Sequence, residues 1–136
     1  MIIVGIVASV LLFVCAIILF VRSLPDMCGN EIFAESASPN RKMKAVAFQR
    51  DCGATTDFST QVSILPIDAV LENEGGNTFS ADTNHGAEPS GADGGPEIRL
   101  HWLSDARLQI QRHPSTRIFR SKTTIKGVKV EYVTFK

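Results

Sequence analysis

No charged residue occurs in the first 21 positions of this 136-residue chain, and no lysine or arginine occurs from position 51 to position 98. Past position 22 there is no amphipathic helical repeat. There is no CxxC pair, GxSxG elbow, P-loop, dinucleotide fingerprint or HExxH string. These absences exclude motif-borne readings as an α/β-hydrolase, a nucleotide-binding enzyme or a zincin. The three histidines, His85, His101 and His113, are scattered, so zinc-ligand spacing is missing too. Fourteen basic side chains balance fourteen acidic ones, and a formal charge of zero gives no whole-molecule argument for a nucleic-acid partner. The length allows one domain and is too short for a closed propeller or a polytopic carrier.

What is present begins with an apolar run. Residues 1–21 carry nothing more polar than Ser9. As a helix they span about 31 Å, matching a hydrocarbon core of about 30 Å. Arg22 ends the run and Pro25 opposes helix continuation. A cleaved signal peptide needs a basic n-region and a shorter apolar stretch, and this segment has neither. The expectation is a single uncleaved transmembrane anchor over residues 1–22, a linker over 23–30 and a folded domain over 31–136. Arg22 alone favours a cytoplasmic domain by the positive-inside rule.

The cysteines favour the other side. Cys15 lies within the apolar run, while Cys28 and Cys52 belong to the domain and each precedes glycine. Two cysteines in a small anchored domain point to one Cys28–Cys52 disulfide in an oxidising compartment.

Beyond residue 30 the hydrophobic period is two. Residues 31–36 and 43–50 read as a hairpin across the turn residues Ser38, Pro39, Asn40 and Arg41. Val62 and Ile64 alternate with polar neighbours until Pro66. Ile98, Leu100 and Trp102 alternate, as do Leu108 and Ile110. Residues 116–125 and 128–135 read as a last hairpin over Lys126 and Gly127. The stretches 38–48 and 102–110 echo one another, which suggests two related hairpins. The expected fold class is all-β: a small antiparallel, sandwich-like domain after one N-terminal transmembrane helix.

A long loop rich in glycine and aspartate, residues 73–96, interrupts the pattern. Structureless segments beyond about 12–15 residues are uncommon in compact domains and often functional. With the corner at residues 50–56 it forms the candidate binding surface, carried by Arg50, Asp51, Asp82, Asn84 and His85. Alanine at His85 or Asp82 is expected to weaken partner capture and spare folding. Charge is segregated along the chain. Nine acids fall in residues 51–98, and nine bases in residues 99–136 against Asp105 and Glu131.

Several strings carry a resemblance: Cys-Gly-Asn-Glu at 28–31, Arg-Asp-Cys-Gly-Ala-Thr-Thr at 50–56, Ser-Thr-Gln-Val-Ser-Ile-Leu at 59–65 and Asn-His-Gly at 84–86. With the run from Gly94 to Leu103 they resemble a family of small membrane-anchored bacterial proteins of unknown function. The resemblance implies an anchored bacterial domain and transfers no catalytic residue. This chain has Asn40-Arg41 where a Pro-Asp-Gly turn is usual.

The sequence reading is therefore a single-pass bacterial protein with an extracytoplasmic β domain, a non-catalytic binding or accessory module. It calls for no cofactor, metal or nucleic acid, and for the membrane and an envelope protein as partners. The alternative is a small envelope hydrolase or metal-dependent enzyme using His85 and Asp82.

Overall fold

The computed structural model describes residues 2–23, 27–53 and 58–135. Pro25, and Ala54, Thr55 and Thr56 of the expected binding corner, lie outside the described residues.

Helix α1, Ile2–Ser23, is 22 residues of mostly leucine, isoleucine and valine. Its described side chains are exposed throughout, and a 19-residue stretch, Gly5–Ser23, is long and apolar enough to cross a membrane. Ser23 Oγ donates to Phe20 O at 2.7 Å and closes the last turn.

Nine strands follow in chain order. They are β1 (Gly29–Ala37), β2 (Met43–Asp51), β3 (Ser59–Pro66), β4 (Phe79–Asp82), β5 (Ile98–Ser104), β6 (Arg107–Arg112), β7 (Arg117–Ser121), β8 (Thr124–Ile125) and β9 (Val128–Thr134). They build a five-stranded sheet, β1-β2-β3-β4-β7, and a four-stranded sheet, β5-β6-β9-β8. The domain is thus the small all-β structure the alternation calls for. The echoing hairpins fall one in each sheet. Their turns touch: Asn40 N donates to Asp105 Oδ1 at 2.7 Å, and Trp102 Nε1 donates to Ser36 O at 2.9 Å.

The core lies between the sheets. The first contributes Ala45, Ala47, Val62, Ile64, Phe79 and Ala81, and the second Ile98, Leu108, Ile110, Val128 and Val130. Each large aliphatic or aromatic side chain buried here contributes about 1.5–3 kcal/mol. Alternation sends Val46 and Phe48 to the opposite face of the first sheet, yet both are fully buried. Residues 67–77 cross that face. Asn77 pairs with Ile64 as a strand residue would, its Oδ1 accepting from Ile64 N at 2.9 Å and its Nδ2 donating to Ile64 O at 3.0 Å. A Cβ on Gly76 would stand 2.7 Å from Phe79 O and 2.8 Å from Val62 O, so only glycine fits.

Three details differ from the sequence reading. First, the loop at 73–96 contains a strand: β4 pairs Phe79 with Val62 and Ala81 with Thr60. It was masked by its four-residue length between polar, glycine-rich flanks. Second, residues 116–125 are not one strand. β7 joins β4 in the first sheet, and the chain crosses to the second at Lys122 and Thr123, leaving a two-residue β8 against β9. Burying Ile118 against Ala81 decides this split. Third, β9 runs parallel to β6, pairing Val130 with Leu108 and Tyr132 with Ile110.

Tyr132, the single tyrosine, stacks on Phe79 with ring centroids 5.8 Å apart and donates to Lys122 O at 2.6 Å. Burial pushes its phenol up to about 12. Absorbance titration should therefore show one phenol ionising near 12 rather than 10. Its folded value lies above the unfolded one, so this contribution to stability is complete below pH 10 and is lost as pH rises toward 12. A titration centred at 10 would mean that the ring is solvated.

Candidate functional site

Strand register sets the site. Arg50 pairs with Ser59, Ser59 with Asp82, and Asp82 with Arg117. Directly paired residues share a sheet face, so Arg50, Ser59, Asp82 and Arg117 form one cross-strand row. The structure thereby brings Arg50 and Asp82 onto one face, two strand spacings or about 10 Å apart. Asp51, one residue on, points to the other face. There it lines a cleft of about 370 Å³ with Glu31, Gln49 and Phe58, and its Oδ1 accepts from Gly53 N at 2.9 Å.

At the β7 end of the row Asp82 is buried and grips Arg117 with both oxygens. Oδ1 accepts from Arg117 Nε at 3.0 Å and Oδ2 from Nη2. Oδ1 also accepts from Asn84 N at 2.8 Å. Arg117 Nη1 lies 2.9 Å from His85 Nε2, and a guanidinium only donates, so His85 Nε2 is the acceptor. The turn that presents His85 is strained: Asn84, His85 and Gly86 have φ of 53°, 56° and 82°. It is closed by Glu88 N to Thr83 O at 3.2 Å. Buried Glu88 accepts from Thr116 Oγ1 at 2.6 Å and ties the turn to the start of β7.

Burial would raise the Asp82 carboxyl, but the Arg117 guanidinium and the Asn84 N–H outweigh it and hold the group below 3.8. A depressed folded value means stability that is present above pH 3.8 and lost as pH falls through the folded value. Asp82→Asn should cost about 1–2 kcal/mol at pH 7, allowing for a partly exposed Arg117. It should also flatten the acid limb of the stability curve. Denaturant midpoints measured at successive pH values check this, and an unchanged acid limb would mean that the pair contributes nothing. The expectation that alanine at Asp82 spares folding is revised accordingly, and His85 is the position to substitute.

At the β1 end Arg50 serves as a brace. Its Nη1 donates to Asn30 Oδ1 at 2.7 Å and Asn73 Oδ1 at 3.1 Å. Asn30 Nδ2 donates to Glu72 O at 3.1 Å and Glu74 O at 2.9 Å, and Asn73 Nδ2 to Cys28 O at 2.8 Å. Beside them Cys28 and Cys52 form the expected disulfide. They occupy the next register pair after Gly29 and Asp51, at the open end of the hairpin.

A second recess of about 380 Å³ opens between β1 and residues 91–98, lined by Phe33, Ala34, Thr60, Asp93, Pro96 and Ile98. Among the described residues no group of three or more His, Cys, Asp or Glu side chains is placed to hold a metal ion.

Comparison of the chain with protein-family models, with curated proteins and with solved structures gives no match.

Sequence reasoning missed Arg117, Ser59, Thr116 and Glu88. The one signal that pointed to Arg117 was charge segregation, an acidic stretch followed by a basic one that had to meet somewhere. Asn30 and Asn73 carried no signal, since their role is set by register and by the path of residues 67–77.

Proposed function

We propose that this is a single-pass, membrane-anchored bacterial protein whose β domain faces an extracytoplasmic, oxidising compartment and serves as a non-catalytic binding module of the envelope. The Cys28–Cys52 disulfide, five residues beyond an apolar helix of membrane-spanning length, carries the reading. The binding face is the Arg50–Ser59–Asp82–Arg117 row with the strained turn at Asn84 and His85. Its ends are braced by the rest of the fold, which suits a surface presented ready-made to a partner.

Thiol labelling tests the placement. In a Cys15→Ala variant, a membrane-impermeant maleimide applied to intact bacterial cells should label nothing until reductant is added, and then both Cys28 and Cys52. Labelling that needs lysis and no reductant would put the domain in the cytoplasm and overturn the reading. For the surface, His85→Ala should fold as the parent does and lose crosslinking to envelope partners. Undiminished crosslinking would remove the turn from the binding face.

A further inference from the structure

Five cations gather at the end of the domain opposite the disulfide. Arg41 and Lys42 sit in the β1–β2 turn, Lys126 in the β8–β9 turn, Lys129 at the start of β9 and Lys122 after β7. Backbone bonds tie these segments together. Asn40 N reaches Asp105, Lys129 N donates to Ala106 O at 2.8 Å, and Ile67 N donates to Lys42 O at 3.0 Å. Lys126 shares a recess with Leu65 and Pro66. All five cations are exposed. The ion pairs of the described residues engage Lys44, Arg99, Arg107 and Arg117, and none of these five. The nearby acids are Asp105, which accepts from Asn40 N, and Asp68. Although the chain is neutral as a whole, this pole is basic.

Backbone conformation gives a second, independent observation. Arg41 has φ of 55° and Lys126 has φ of 48°. Hairpin turns of this kind favour glycine or asparagine at such positions, because other L side chains crowd the backbone there. Two separate turns at one pole thus hold a cation where backbone geometry asks for Gly or Asn. Strain kept in this way points to a use for the side chain.

We propose that this pole binds a linear anionic polymer bearing phosphate groups. Four of the five cations are lysines, compact point charges on flexible stems that follow a polymer's phosphates without demanding planar, two-pronged geometry. The pole stands at the far end of the strands from the helix exit, so the polymer it meets is not the headgroup layer of the anchoring membrane. The inference uses the anchored reading only for where such a polymer lies. Binding itself is a property of the purified chain.

The test uses the full chain in zwitterionic-lipid nanodiscs, with long-chain inorganic polyphosphate as probe and calorimetry as readout. Saturable binding is expected, weakening steeply as salt rises. The Arg41→Gly, Lys126→Asn pair should weaken it about tenfold while the melting temperature stays level or rises, because both turns are relieved of strain. A purely structural role for these cations would lower it. Lys42→Gln with Lys129→Gln, at unstrained positions, should weaken binding similarly. No saturable binding at low salt, or undiminished binding by both variants, would overturn the proposal. Equal binding of polyglutamate would replace it with an acidic protein partner, and preferential binding of anionic vesicles with an opposed membrane. Neither outcome bears on the labelling result, so the two readings fail separately.

Discussion

Phe79→Ala should cost the domain about 3–5 kcal/mol, the largest loss expected of any single core truncation. Phe79 is fully buried, stacks on Tyr132 and stands on β4, the four-residue strand that joins β3 to β7. Its removal opens a void that the small neighbours Ala81 and Ala47 cannot fill. It also frees Tyr132, so the phenol titration should fall toward 10 in the same variant. Chemical denaturation of the detergent-solubilised chain measures the first effect and absorbance the second. Phe79→Leu, which keeps most of the volume, should lose less. A midpoint unchanged by Phe79→Ala would mean that the two sheets do not pack through this residue.

Removing the disulfide should be of similar size. Cys28→Ser with Cys52→Ser opens a loop of about 25 residues, worth about 3.5 kcal/mol in the chain-entropy account. The bond clips the open end of the β1–β2 hairpin, where Arg50, Asn30 and Asn73 converge. Its loss should therefore also loosen residues 72–74. Denaturant unfolding with and without reductant gives the stability term. Hydrogen exchange at Glu72 to Glu74 reports the local one. A domain equally stable when reduced would show that the brace holds the hairpin end unaided, and it would weaken the argument from oxidising compartment to location.

These expectations show what could be read in advance. Val62 and Ile64, Leu108 and Ile110, and Val128 and Val130 alternate so regularly that their faces follow from the period alone. The disulfide pairing likewise needed no more than setting Cys15 aside. Sheet membership was not legible. Residues 116–125 satisfy a strand pattern in either sheet, and burying Ile118 beside Ala81 decides between them. The parallel pairing of β6 with β9 is hidden for the same reason, since nearness in sequence argues for hairpins. At the candidate site Asp82 and His85 stood out as polar groups in a long loop. Arg117 lies 35 positions beyond Asp82 and becomes its partner only through the β4–β7 pairing.

The strand order has a consequence for biogenesis. β7 closes one edge of the first sheet, and β9 is an interior strand of the second, between β6 and β8. Neither sheet is complete until the most C-terminal elements arrive. During vectorial synthesis β1 to β4 emerge with Phe48, Val62 and Phe79 uncovered, and the Arg117 that neutralises Asp82 comes late. Non-local pairing of this kind folds slowly and exposes strand edges meanwhile. The nascent domain thus passes through a vulnerable interval, in which a holding chaperone at the exit site shields it until β9 slots between β6 and β8.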